Sequence, residues 1–352
     1  MGDSTIQDTP PLPWSVLEFT FSDRNTDSEL IIMCNKTCFV VHLAAANFSE
    51  STKLKEKYIF FLDVARHFEL DGYTVEDFYD WAAEPLFPVF QSMPPLDETR
   101  LTLNEYLFPD TLFYTLRADA RELVAVPLNN SPRRKTRSRF GVALPNETCA
   151  VWPCFHPSEI RICPRRPPTY GPSPSQTPDK VSLKDGTVAF VKLVRCGDKN
   201  ILMRELDNYA KINAAPLNDT LPISRLKGIV RDESGSVFGL LLTYIDCSRV
   251  TLACAAPKLD TPACLQEKWV VQIQETVQEL HSAGIVWGDA KPENVLIDRN
   301  KDAWIVDFGG GYTEGWVPEN LTGTVEGDLI ALKKIIEFIM KPQRKGNETL
   351  LK

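Results

Sequence analysis

Residues 281–309 read HSAGIVWGDAKPENVLIDRNKDAWIVDFG, and this stretch decides the fold. Three polar side chains sit in it at fixed offsets, Asp289, Asn294 and Asp307, with Lys291 two residues after the first. One carboxylate can orient an attacking hydroxyl. A second carboxylate, with an amide oxygen, can hold a hard divalent cation. An ammonium between them can neutralise a phosphoryl group in transit. Transfer of a phosphoryl group from ATP draws on this set of chemical types. A lone Asp-Gly or Asp-Phe-Gly marks no more than a turn. The ordered set, behind an amphipathic helix, points to the chemistry.

The rest of the composition narrows the class. A chain of 352 residues with 43% apolar side chains can bury a sizeable core in one large or two ordinary domains. A net charge of −8 argues against a general nucleic-acid or membrane binder. The start, MGDSTIQDTPPLPW, has no basic segment followed by an apolar one, so no secretory signal is expected. Gly2 is followed by Thr5 and Ile6, a poor match to a myristoylation site. The apolar run at 38–48 is too short to span a bilayer and contains His42. These features predict a cytoplasmic or nuclear protein. The nine cysteines lack regular spacing, which predicts reduced thiols. Cys149, Cys154, His156 and Cys163 fit no common zinc spacing and are expected to be buried or loop residues.

Along the chain, residues 29–33 and 38–43 are β-rich and split by Asn35-Lys36, which predicts a hairpin. Asp71-Gly72 marks a turn. Thr74 and Asp77 have nearly the form of a capping box, and the helix they open should end or kink at Pro85 and Pro88. Residues 1–130 are thus expected to form an α+β region whose role the sequence does not disclose. Residues 131–180 are expected to be a linker. Its start, SPRRKTRSR, suits a solvated loop better than a localisation or phosphorylation signal, and residues 164–178 hold six prolines. From Val181 the pattern changes to strand, turn, strand around Lys184–Thr187. A helix over 201–212 follows, with Ile201, Leu206, Tyr209 and Ile212 near one face. A second strand pair spans 228–245. Then comes an amphipathic helix with Trp269, Val270, Ile273, Val277 and Leu280 on one stripe, stopped by Gly284.

Asp289-x-Lys291-x-x-Asn294 followed by Asp307-Phe308-Gly309 resembles the catalytic loop and metal-binding segment of the protein-kinase-like superfamily. The resemblance covers about residues 181–340. It is similar in kind to the small, divergent kinase-like proteins of fungal genomes. It implies an α+β bilobal fold, with a small lobe at 181–246 and a shortened large lobe at 247–352, preceded by the N-terminal α+β region. It implies ATP and Mg2+ as cofactors. By the same resemblance Asp289 is the catalytic base and Lys291 contacts the transferring phosphate. Asn294 and Asp307 hold the metal. Lys192 grips the nucleotide phosphates, with Glu205 as its ion-pair partner. Leu242, Thr243, Tyr244 and Ile245 meet the adenine, and Asp328 braces the catalytic loop. The implied acceptor is a hydroxyl, by default on a Ser or Thr of a protein and alternatively on a small molecule. The other alternative is a pseudokinase, a scaffold that binds without transferring. No nucleic-acid or membrane partner is expected, and the oligomeric state is left open.

Four departures from the family matter. No G-x-G-x-x-G precedes Val181, where TYGPSPSQTPDK stands instead, which predicts weaker nucleotide binding or a substitute loop. Phe190 occupies the place of a small residue against the adenine. Trp287-Gly288 replaces His-Arg before Asp289, so phosphorylation at Thr313 or Thr322 is not expected to switch activity on. Only twenty residues separate Asp307 from Asp328, and within them Val317-Pro318-Glu319 weakly echoes Ala-Pro-Glu.

Overall fold

The computed structural model describes residues 14–93, 101–128, 139–164, 177–258 and 260–341. The basic stretch at 131–138, most of the proline-rich stretch and the start of the chain with Gly2 lie outside the described residues. The chain divides into two compact units, one of residues 1–138 with 161–178, the other of 139–160 with 179–352. Both mix helix and sheet, the α+β class expected from the sequence.

In the first unit, β1 (Trp14–Phe21), β2 (Ser28–Cys34), β3 (Thr37–Leu43), β4 (Asp110–Asp119) and β5 (Glu122–Pro127) lie side by side in chain order. All neighbours are antiparallel except β3 and β4, which run parallel. A parallel step needs a crossover, and α1 (Thr52–His67) and α2 (Val75–Ala83) lie within it. Asn35 sits at φ +53° in the β2–β3 turn, a conformation Asn tolerates better than most residues. The capping box forms, with the Thr74 N–H donating to Asp77 Oδ2 at 2.7 Å. The two prolines have their expected effect: α2 stops at Ala83, and a 3-10 turn and the short helix Phe87–Gln91 follow. The sequence pattern does not signal α1 or β1. In α1, Tyr58, Phe61, Leu62 and Ala65 recur on one buried face, and they join Leu30, Ile32, Phe39, Phe78 and Trp81 in or beside one core.

The second unit carries β6 (Lys180–Ser182), β7 (Val188–Leu193), α3 (Lys199–Ala214), β8 (Leu226–Arg231), β9 (Ser236–Thr243), α4 (Ala263–Ser282), β10 (Val295–Ile297), β11 (Ala303–Ile305) and α5 (Val325–Met340). Strands β6, β7, β9 and β8 pair antiparallel in that order, and β10 and β11 form a separate hairpin. One apolar cluster runs from Leu240 and Leu242 of the sheet through Leu206 and Tyr209 of α3 to Trp269, Trp287, Phe308 and Ile335. α4 ends at Gly284, whose φ of +71° lets the Ile285 N–H turn back to the Leu280 carbonyl at 2.9 Å.

Two expectations need correction. Residues 139–160, expected to be linker, belong to this unit: Val142–Ala143 pairs with β9, Cys154–Phe155 lies parallel to β8, and Cys149 and Trp152 enter the core. Two-residue strands are too short to show a period of two, and the prolines around them suggest a loop. Within α3, Ile201 is 46% exposed and Leu202 takes its place on the buried face. The cysteines are all thiols. Among the described residues no cluster of three His, Cys, Asp or Glu side chains is arranged to hold a metal. His156 instead bonds Ser158 through Nδ1 and faces Glu233 through Nε2. No helix among the described residues is long and apolar enough to cross a membrane.

Candidate active site

The site of the second unit is built from β7, α3, the loop 285–294 and the segment after β11. Alternation along β7 buries Ala189 and Val191 and turns Phe190 and Lys192 to the opposite face. Glu205 stands on the buried face of α3 among Leu202, Leu206 and Tyr209. Lys192 Nζ donates to Glu205 Oε1 and Oε2 at 3.0 and 2.9 Å and to Asp307 Oδ1 at 2.8 Å. Burial alone would lower the Lys192 ammonium, but the two carboxylates outweigh it and hold its pKa above the ordinary value. Burial pushes the Glu205 carboxyl upward, with the facing ammonium opposing that shift. One ammonium between two carboxylates leaves this trio with a formal charge of −1.

Asp307 follows β11 in a left-handed conformation, φ +65°, which short polar side chains tolerate and most others do not. Its neighbour Phe308 is fully buried, packs edge-on to Tyr209 at 5.8 Å, and accepts a bond from Asn208 Nδ2 on its carbonyl at 2.7 Å. α3 thereby fixes both Glu205 and the segment that presents Asp307.

Asp289 sits on a loop held from three sides. The Trp287 indole, buried, donates to the Val306 carbonyl at 3.0 Å. The Val306 N–H donates to the Asn294 carbonyl at 3.0 Å. From α5, Asp328 accepts the N–H groups of Trp287 at 2.7 Å and Gly288 at 2.9 Å, and it pairs with His281 Nε2 at 2.9 Å. Gly288, at φ +84°, is the residue whose backbone makes this approach possible. Asp328→Ala would strand two buried N–H groups. It is expected to lower the unfolding free energy by about 2–4 kcal/mol, read by urea unfolding; a loss below about 1 kcal/mol would show that the brace is not needed.

Around Asp289, Lys291 Nζ donates to Oδ2 at 2.7 Å, and Asn294 Nδ2 donates to the same Oδ2 and to the Asp289 carbonyl, both at 2.9 Å. The Thr313 hydroxyl donates to Asp289 Oδ1 at 3.1 Å and accepts from Lys291 Nζ at 2.9 Å. The amide donor of Asn294 is thus engaged, which turns its oxygen, Oδ1, away from Asp289. Asp307 uses Oδ1 for Lys192 and Gly309, and Oδ2 has no bond among the described residues. These two hard oxygens are the donor chemistry Mg2+ takes, so the residues fit such an ion.

The structure brings Lys192, Glu205 and Asp307 together, and separately Asp289, Lys291 and Asn294. Thr243, Tyr244 and Ile245 end β9 and lead out of it. Here the Thr243 N–H already donates to the Arg225 carbonyl and the Ile245 carbonyl accepts from Cys247, each at 2.9 Å. Of the backbone groups expected to meet a base, those two are therefore engaged. Phe190 lies on the Lys192 face of β7 and is 36% exposed. Sequence reasoning gives Thr313, Asn208 and His281 no contact in this region. Each contact spans more than twenty residues of chain, which short motifs do not encode.

Residues 188–317 match the family model described as Protein kinase domain. Over 47 residues the chain is 45% identical to serine/threonine-protein kinase PKH3 of Eremothecium gossypii, covering 13% of this chain and 6% of that protein. It is 40% identical over 67 residues to serine/threonine-protein kinase PKH1 of Saccharomyces cerevisiae, 18% of this chain and 8% of that one. It is 35% identical over 79 residues to cyclin-dependent kinase F-1 of Oryza sativa subsp. japonica, 22% and 16% respectively. The matched stretches thus span only a small part of each relative.

Proposed function

Since residues 188–317 belong to the protein-kinase-like superfamily, we propose that the chain is an ATP- and Mg2+-dependent phosphotransferase acting on a hydroxyl, by default that of a Ser or Thr in a protein. The observation that carries this reading is the unbroken set of polar contacts from Glu205 through Lys192 to Asp307, beside that of Asp289, Lys291 and Asn294. Loss of catalysis removes members of such a set, and here none is missing. In this reading Lys192 holds the nucleotide phosphates and Glu205 holds Lys192. Asn294 and Asp307 would hold Mg2+, which supplies charge neutralisation at the phosphates. Asp289 takes the acceptor proton, and Lys291 meets the negative charge of the group in transit. The Tyr244 peptide groups and the Ile245 N–H would meet the base. Phe190 can stack on it, in the place of the absent glycine loop's cover.

The test is the melting temperature of the purified chain with ATP, with and without Mg2+. A ligand that binds only the native state must raise it. A Mg2+-dependent rise is expected. A folded protein that shows no shift at millimolar ATP would abandon this reading for a scaffold that binds protein partners through the same fold.

A further inference from the structure

We propose that the first hydroxyl this site phosphorylates is the chain's own Thr313, in cis; the proposal rests on the phosphotransferase reading above. A hydroxyl about to be phosphorylated must donate its proton to a base and sit beside a cation that tolerates the growing charge. Thr313 meets both conditions: its Oγ1 donates to Asp289 Oδ1 at 3.1 Å and receives Lys291 Nζ at 2.9 Å. No other Ser or Thr hydroxyl among the described residues is shown bonded to Asp289.

The placement is built, not incidental. The Trp316 N–H donates to the Thr313 carbonyl at 3.2 Å, closing a turn. Lys334 of α5 holds the Gly315 carbonyl at 2.8 Å, and the Trp316 ring packs edge-on to Phe338 of α5 at 6.3 Å. On the other side Gly311 passes so close to Asp289 that an added Cβ would lie 3.5 Å from its carboxylate. The segment between Asp307 and α5 therefore delivers Thr313 to the base and, in this conformation, fills the place an outside hydroxyl would need.

The step balances with ATP as the only co-reactant. Thr313 Oγ bonds to the γ-phosphorus, and the bond from that phosphorus to the β–γ bridging oxygen breaks. The electron pair leaves with ADP, and the hydroxyl proton passes to the Asp289 carboxylate. The product carries about −1.5 to −2 charges against Asp289 with Lys291 as its cation. Repulsion should drive the segment out of the site. This differs from switching on by a phosphate reader, for which Trp287-Gly288 supplies no arginine.

The experiment incubates the full chain with ATP and Mg2+, maps phosphate by peptide mass spectrometry, and assays transfer to casein and the ATP-induced melting shift in parallel. Phosphate on Thr313 is expected at a rate unchanged by tenfold dilution. It should be lost in Asp289→Asn, retained on the serine of Thr313→Ser, and unaffected by Thr322→Ala. Without nucleotide, Thr313→Val should speed hydrogen exchange across residues 309–317 while Thr313→Ser should not. Equal exchange in both variants would remove the premise. A rate that falls with dilution would overturn transfer in cis. Casein phosphorylated with Thr313 unmodified would overturn the proposal and leave the kinase reading standing. Absence of both the melting shift and any transfer would overturn both.

Discussion

Asp307→Asn is expected to abolish the Mg2+-dependent part of the stabilisation by ATP while the chain stays folded. With ATP at a hundred times its Kd, wild-type protein should gain about 2.7 kcal/mol. For a folded unit of this size that is a rise in Tm of roughly 5–10 °C. The variant should show less than a quarter of it. Asn is the informative replacement because the position demands φ +65°. Asn tolerates that conformation, whereas Ala would add about 1–2 kcal/mol of backbone strain and blur the result. Asn also keeps an oxygen for Lys192, now 2.8 Å away. What it loses is charge: the Lys192, Glu205 and Asp307 trio goes from a formal −1 to zero, and a divalent cation has nothing to bind beyond neutral oxygens. An undiminished Mg2+-dependent shift in the folded variant would remove Asp307 from the metal assignment.

The chemistry legible in the sequence is the chemistry held in contiguous stretches. Asp289, Lys291, Asn294 and Asp307 fall within nineteen residues, so their spacing survives as a readable pattern. Lys192 and Glu205 are legible because one strand and one helix separate them by thirteen positions. Strong periodicity exposes α4, and turn residues expose the hairpins at Asn35 and Gly235. The rest is hidden for physical reasons. α1 carries charged residues through a buried face, so its stripe is weak until Tyr58, Phe61 and Leu62 are seen packed. Residues 142–155 gain their structure only by pairing with β9 and β8, partners more than seventy residues away. As a letter in the sequence, Trp287 reads as a lost polar residue. In the fold it is an anchor, with its ring fully buried and its indole N–H on Val306.

Asp289→Asn separates catalysis from binding, and its effect should fall on turnover alone. The replacement keeps a carbonyl oxygen for the bonds that Asn294 and Lys291 make at 2.9 and 2.7 Å, so the loop has no reason to rearrange. The brace from Asp328 is untouched. Lys192, Asn294 and Asp307 stay in place, so the ATP-induced melting shift should match wild type within about 1 °C. An amide cannot take the acceptor proton, and a positioned base contributes about 100- to 10,000-fold to a rate. Turnover should therefore fall by that factor, measured as ADP released or phosphate transferred, at unchanged KM for ATP. Such a split identifies a group that acts only as the transition state forms. A drop in nucleotide affinity with proportionate loss of rate would instead make Asp289 part of the binding site. Unchanged turnover would mean the proton leaves by another route and would remove the base from the mechanism.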